Sequence, residues 1–173
     1  MSLLTRLSGA CALVLAVLAP GAALAEPSMI YLVRHGEKAL EGKDPELTPQ
    51  GRQRAQNIAT MLGKAGIAHI FSTPTNRTQQ TAQPLAQHSG LPVQLYDPKT
   101  PQALVAKVKT LNGAVLVVGH SNTLSELVRL FGGQPGSDIA DNEFDRLYQL
   151  IPGAGGAITT VLFTSLPATG AAP

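Results

Sequence analysis

The 173-residue chain has one cysteine, no tryptophan, three tyrosines and four phenylalanines, of which Phe144 and Phe163 are expected to pack in the core. The cysteine, Cys11, lies in an N-terminal apolar segment that we expect to be removed. The mature chain therefore excludes disulfide frameworks and thiol catalysis. Charged residues make up only 14% of the chain, and the formal net charge is +2. Because a nucleic-acid-binding surface needs clustered basic residues, this composition argues against a nucleic-acid partner.

Residues 1–25 have the composition of a secretory signal peptide. They carry one charge, Arg6, followed by an apolar run from Ala10 to Ala19, and they end on Ala23-Leu24-Ala25. The run is short and alanine-rich for a membrane span, so cleavage after Ala25 is favoured over a retained anchor. We therefore expect an exported protein, periplasmic or secreted, with no stable membrane association after cleavage. Removal of Arg6 lowers the net charge by one.

The rest of the chain alternates short apolar runs with helical patterns. Strands are predicted at 29–33, 67–72, 93–96, 114–118, 146–151 and 157–163, the last two forming a hairpin. Helices are predicted to start at Thr48-Pro49, Thr73-Pro74, Pro101 and Thr123. This order predicts a three-layer α/β domain over 26–166, with a mostly parallel central sheet and helices on both faces. Residues 167–173 are predicted to be a flexible tail.

Functional side chains follow the predicted strands at one edge of the sheet. The ends of the four strands are followed by Arg34-His35, by Ser72 with Arg77, by Asp97, and by His120. Ligands of such sheets bind beyond the carboxyl ends of the strands, so we expect these groups to converge. Guanidinium groups match phosphate oxygens, and a neutral imidazole can act as a nucleophile. The set suits a tetrahedral dianion.

Four motifs, in this order, resemble the histidine phosphatase (phosphoglycerate-mutase-like) superfamily. They are Arg34-His35-Gly36, Leu47-Thr48-Pro49-x-Gly51, a third motif from Ser72 to Ala82 that contains Arg77 and Thr81, and Gly119-His120-Ser121-Asn122. The resemblance covers nearly all of the mature chain. Its short connections look most like the compact phosphohistidine-phosphatase-type branch. It implies hydrolysis of phosphate monoesters, or of related phosphoryl groups on a small substrate, without a metal or other cofactor.

The resemblance also implies a role for each matching residue. His35 would be the nucleophile that becomes phosphohistidine, and Arg34, Arg77 and His120 would form the phosphate pocket. Asn122 and Ser72 would line this pocket.

The proton donor remains open between two carboxylates. Asp97 stands at the position where the family usually has its acid, but the glycine-rich acidic stretch that often follows is missing here. Asp-Pro is also a common turn opener, so Asp97 could equally be a turn residue. Glu37 is the other candidate.

Two alternatives use the same motifs. The sequence from Gly119 to Thr123 resembles the elbow of serine hydrolases, but that triad needs a histidine after the serine, and none follows Ser121. A catalytically weak or inactive relative that only binds a phosphorylated ligand is the other alternative. A mutase role is less favoured, because the chain lacks the inserts expected to close over a diphosphorylated sugar acid. The sequence does not indicate the oligomeric state or the physiological substrate.

Overall fold

The computed structural model describes residues 26–168, so the predicted signal peptide and residues 169–173 of the predicted tail lie outside the described part. The elements are β1 (Pro27–Arg34), α1 (Pro49–Leu62), β2 (Ile67–Ser72), α2 (Asn76–Ser89), β3 (Val93–Leu95), α3 (Pro101–Val108), β4 (Gly113–Gly119), α4 (Ser121–Leu130), β5 (Arg146–Pro152) and β6 (Ile158–Thr164). No helix within the described residues is long and apolar enough to cross a membrane.

The six strands form one sheet in the order β3-β2-β4-β1-β5-β6. The strands β3, β2, β4 and β1 run parallel, whereas β5 is antiparallel to β1 and β6 is antiparallel to β5. The predicted α/β class, with a mostly parallel sheet and a C-terminal hairpin at one edge, is therefore confirmed.

Each face of the sheet is covered by one pair of helices. Because successive side chains of a strand point to opposite faces, β1 divides its apolar residues between two cores. Ile30 and Leu32 pack with residues of α3 and α4, and Tyr31 and Val33 pack with residues of α1 and α2. A fully buried side chain such as Leu32 contributes about 1.5–3 kcal/mol by leaving water. The helices thus cover both faces of the sheet and leave the carboxyl ends of its parallel strands at one edge.

Two helices begin at other residues than predicted. The second helix starts at Asn76, not at Thr73-Pro74, because the Thr73 hydroxyl is engaged by side chains instead of the helix end. The fourth starts at Ser121, two residues before Thr123, with His120 as its N-cap. There the Thr123 hydroxyl accepts a hydrogen bond from the His120 backbone N–H at 3.4 Å.

The two phenylalanines predicted to pack in the core are both placed differently. Phe163 lies on the edge strand β6 and is 42% exposed. Phe144 is only half-buried and lies against Arg34 and His35. Both predictions were wrong because apolar periodicity cannot distinguish an edge strand or a loop near a charged group from a core position.

The start of α1 packs backbone to backbone on the segment after β1. A Cβ atom on Gly51 would lie 2.2 Å from the carbonyl oxygen of Glu37, and one on Gly36 would lie 2.7 Å from the carbonyl oxygen of Gly51. Glycine is therefore required at both positions by the close approach. This contact fixes the course of the chain directly after His35.

We expect Gly51→Ala to lower the free energy of unfolding by about 1–3 kcal/mol, the usual range for overpacking. Gly153→Ala is the matched control, because a Cβ atom there meets only the Ala157 carbonyl oxygen at an ordinary 3.5 Å. It should change stability by no more than about 0.5 kcal/mol. Urea unfolding of both variants checks this, and equal stabilities would contradict the packing argument.

Candidate active site

The site is built on the pairing of β1 with β4. Arg34 lies opposite Gly119 in the parallel register, and the backbone N–H of His35 donates to the Gly119 carbonyl oxygen at 3.0 Å. The next residue on each strand is therefore a histidine at the same level. The ring centroids of His35 and His120 are 5.3 Å apart, with their planes at 67°.

His35 is held as a neutral imidazole with one free nitrogen. Its Nδ1 lies 2.7 Å from the carbonyl oxygen of Gly36, which can only accept, so Nδ1 carries the proton and Nε2 keeps its lone pair. The ring is 3% exposed. Burial lowers the pKa of His35 to about 3; the hydrogen bond to Gly36 opposes this shift, whereas the charges of His120, Arg34 and Arg77 add to it. At neutral pH, Nε2 is thus available as a nucleophile.

Arg34 ends β1 beside His35 and is 6% exposed. Its Nη1 donates to the carbonyl oxygens of Ala140 and Glu143 at 2.9 and 2.6 Å, and its guanidinium carbon lies 4.1 Å from the centre of the Phe144 ring. Burial lowers the pKa of Arg34, which nearby acidic residues partly offset. An arginine remains charged even so. Arg34 therefore attaches the segment at 140–144 to the edge of the sheet.

The first residue of β5, Arg146, shapes the loop that Arg34 contacts. Its guanidinium pairs with Glu143 and donates to the carbonyl oxygens of Ser137 and Asp138 and to the hydroxyl of Tyr148. The hydrogen bond with Glu143 raises the pKa of Arg146. The loop over the site is thus fixed from both ends by arginines.

Arg77 and His120 form the other side of the site. Arg77 lies in the first turn of α2, and its Nη1 is 3.5 Å from Oδ1 of Asp44. The Nε2 of His120 lies 2.9 Å from the Thr73 hydroxyl, which in turn lies 2.8 Å from the Thr78 hydroxyl. Burial, and next the charges of Arg77 and Arg34, lower the pKa of His120 to about 4, with Asp44 acting in the opposite direction. His120 is therefore neutral at pH 7 as well.

The two arginines share one unusual property. Among the described residues, the Nε atoms of Arg34 and Arg77 are buried side-chain nitrogens without a hydrogen-bond partner. A buried donor without an acceptor is costly, by about 1–3 kcal/mol, and more for a charged group. Two such donors beside two neutral histidines fit an anion that carries several oxygens.

Two residues predicted to line the pocket occupy different places. Asn122 is exposed near the start of α4, on a polar cavity of about 310 Å³ that also contains Arg129, Asp138 and Asp141. Ser72 is fully buried, and its hydroxyl donates to the Thr73 carbonyl oxygen at 2.9 Å. The Ser72 hydroxyl is thus engaged by the main chain, and its assignment to the pocket remains a prediction, as does that of Asn122.

The two predicted proton donors are engaged elsewhere. Glu37 binds the fully buried Arg54 through both carboxylate oxygens, at 2.6 and 3.0 Å, and accepts from Gln50. Asp97 is exposed in a turn, where its Oδ1 accepts from the backbone N–H of Lys99 at 2.9 Å. Neither set of contacts includes the two histidines, and the assignment of the donor to Glu37 or Asp97 remains a prediction.

Three contributors to the site were missed from the sequence. Thr73 was interpreted as a helix start, Phe144 as core, and Arg54 was not singled out at all. Arg54 also donates to the carbonyl oxygen and hydroxyl of Ser165, more than a hundred residues away. For Thr73, its place in the same motif as Arg77 was the available signal; for Arg54, the sequence carried none.

Within residues 26–168, no group of three or more His, Cys, Asp or Glu residues is arranged to hold a metal ion.

Sequence comparison identifies relatives over part of the chain. Residues 30–98 match the family model described as histidine phosphatase superfamily (branch 1). A curated relative from Escherichia coli, named "Probable phosphoglycerate mutase GpmB", is 35% identical over 104 residues. That match covers 56% of this chain but 44% of the relative, so the chain spans less than half the length of this relative.

Solved structures share the fold at low sequence identity. The protein histidine phosphatase SixA, complexed with tungstate, superposes with a TM-score of 0.61 at 20% identity, covering 79% of this chain and 96% of SixA. A mycobacterial glucosyl-3-phosphoglycerate phosphatase with inorganic phosphate gives 0.59 at 18% identity, covering 82% and 98%. At this level of identity the likeness shows the fold alone.

The depressed pKa of His35 predicts a stability that depends on pH. An unfolded histidine binds its proton below about pH 6.5, but folded His35 does not do so until about pH 3. The unfolded state therefore holds more protons in this window, and stability falls as the pH falls through it. This histidine contributes up to about 1.4 kcal/mol per pH unit.

Urea unfolding of the wild-type and His35→Gln proteins between pH 6.5 and 4 measures this contribution. The wild-type protein should lose stability more steeply as the pH is lowered, because glutamine does not titrate. Parallel curves for the two proteins would show that folded His35 titrates normally.

Proposed function

Because this chain belongs to the histidine phosphatase superfamily, whose members include phosphatases and mutases, we propose that it is a phosphatase. Its substrates would be small molecules that carry a phosphate monoester or a related phosphoryl group. The proposal is supported above all by the two unpartnered guanidinium Nε–H groups that flank a neutral histidine. They supply fixed positive charge where the equatorial oxygens of a transferring phosphoryl group need it.

The reaction would proceed in two steps through a phosphohistidine. The Nε2 lone pair of His35 attacks phosphorus while the Nδ1–H remains hydrogen-bonded to the Gly36 carbonyl oxygen. The ring therefore needs no change of tautomer or orientation to react. Arg34, Arg77 and His120 hold the phosphoryl oxygens. Water then attacks the phosphohistidine, which releases phosphate and restores neutral His35. The depressed pKa of His35 favours this sequence, because a protonated ring could not attack.

The non-catalytic alternative uses the same pocket. A protein of that kind would bind phosphate or vanadate without turning over p-nitrophenyl phosphate. The unprotonated Nε2 of His35 supports the catalytic proposal over this alternative, because a pocket that only binds an anion gains nothing from a nitrogen that cannot donate a hydrogen bond.

We expect His35→Ala to abolish hydrolysis of p-nitrophenyl phosphate while the protein stays folded. His88→Ala is the control, because His88 is exposed at the end of α2. Steady-state assays and circular dichroism measure both effects. Acid-labile phosphate should be trapped on the wild-type protein and not on His35→Ala. Turnover by His35→Ala at the wild-type rate would rule out the mechanism.

We expect Arg77→Ala to raise the inhibition constant of vanadate about 10- to 100-fold. A hydrogen bond to a charged group contributes about 1.5–3 kcal/mol, and each 1.4 kcal/mol is a factor of about ten. Arg52→Ala provides the matched loss of an exposed arginine on α1 and should leave inhibition unchanged. Equal inhibition constants for the wild-type, Arg77→Ala and Arg52→Ala proteins would show that Arg77 does not bind the anion.

We also propose that residues 1–25 direct export, which the composition of this segment supports. If the full chain is expressed in a bacterium with two membranes, the mature protein should be recovered from the periplasmic fraction. N-terminal sequencing should then give Glu26 as its first residue. Recovery of a chain that retains residues 1–25 in the cytoplasm would contradict the proposal.

A further inference from the structure

The loop from Ala39 to Glu46 folds back on the site. Its stem is closed by an antiparallel bridge between Lys38 and Leu47 and by a 2.9 Å hydrogen bond from the Ala39 N–H to the Glu46 carbonyl oxygen. Leu47 is 2% exposed, and its backbone N–H donates to the side chain of Gln80 at 2.8 Å. The returning limb of the loop is therefore held against α2.

This limb places Asp44 at the start of α2, beside the phosphate pocket. Its two carboxylate oxygens each lie 3.1 Å from the Asn76 backbone nitrogen, and Oδ1 lies 3.5 Å from Nη1 of Arg77. The N-cap residue of α2, Thr75, makes no capping bond of its own, so Asp44 caps this helix from another segment. The side chain of Asp44 is 41% exposed, and its charge is felt at His120.

We propose that Asp44 is a further catalytic residue, the donor of the proton to the leaving oxygen. This inference rests on the proposed function. In an in-line displacement the leaving oxygen lies across phosphorus from the attacking nitrogen. His35 is the buried floor of the site, so the leaving oxygen faces the open side. The side chain of Asp44 is 41% exposed, and it contacts the guanidinium of Arg77, which holds the phosphoryl group in the proposed reaction.

The other carboxylates near the site are less suited to the task. Both oxygens of Glu37 are bound by the buried guanidinium of Arg54, and both oxygens of Glu143 are bound in the same way by Arg146. Asp97 is used in its own turn. Asp141 is exposed on the other loop, and its charge acts on Arg34. Asp141 is therefore the competitor that an experiment has to separate from Asp44.

Because the side chain of Asp44 is 41% exposed, solvent can deliver the proton that this residue donates.

The proton balance closes over the two steps. In the first step, the bond between phosphorus and Nε2 of His35 forms and the P–O bond to the leaving group breaks. The electron pair of the broken bond stays on the leaving oxygen, which takes the proton from Asp44 and leaves as a neutral alcohol. In the second, the Asp44 carboxylate takes a proton from the attacking water. The P–Nε2 bond then breaks, with its electron pair returning to Nε2, phosphate leaves, and Asp44 is again protonated.

The test compares two leaving groups in single turnovers with the enzyme in excess. p-Nitrophenolate leaves as a stable anion and needs little protonation, whereas the alkoxide of 2-glycerophosphate needs a proton. Asp44→Asn should slow release of glycerol about 10²- to 10⁴-fold more than it slows release of p-nitrophenol. Asp97→Asn and Asp141→Asn make the same chemical change elsewhere and should keep the wild-type ratio of the two rates. Asp44→Glu should partly restore glycerol release.

A purely structural role for Asp44, capping α2 or orienting Arg77, would slow both substrates equally, and that result would overturn the inference. A selective loss of glycerol release in Asp97→Asn or Asp141→Asn, with Asp44→Asn unaffected, would overturn it too. The proposed function is tested separately, because His35→Ala should stop both substrates whatever the identity of the proton donor.

Discussion

The parallel pairing of β1 with β4 is the constraint on which the rest of the site depends. With Arg34 opposite Gly119, the chain leaves both strands at one level and presents His35 and His120 to each other. A slip of one residue would exchange the faces of the buried side chains, so the two cores fix this register. The geometry of the proposed site is in this sense a by-product of hydrophobic packing. The backbone contact between Gly36 and Gly51 then sets the direction in which the chain continues.

Burial accounts for most of the electrostatics of the site. It is the largest cause of the depressed pKa of His35 and of His120, and it also lowers the pKa of Arg34. The arginines stay charged because their ordinary pKa is so high, whereas the histidines become neutral. Burial thus keeps the two histidines neutral without removing the charge of the arginines. Acidic residues near the pocket, Asp44 among them, act against the shifts without reversing them.

The sequence predicted the layers of the fold and the convergence of Arg34, His35 and His120, because strand periodicity and strand ends are local signals. Prediction from the sequence failed where a side chain can form hydrogen bonds either with local or with distant partners. The Thr73 hydroxyl could cap a helix, but it bonds the Thr78 hydroxyl and His120 instead. Asp44 carried no local signal, because its contact with the start of α2 joins residues that are 32 positions apart in the chain.

Arg34 holds the loop over the site through carbonyl oxygens of the main chain, those of Ala140 and Glu143. Because these acceptors belong to the main chain, residues of any type at the two positions can supply them as long as the backbone keeps its course. Exposed residues between them, such as Asp141 and Asn142, can therefore be exchanged during evolution while the guanidinium keeps its anchorage. Divergent members of such a lineage could acquire new substrates by drift in this loop, with the reacting groups untouched.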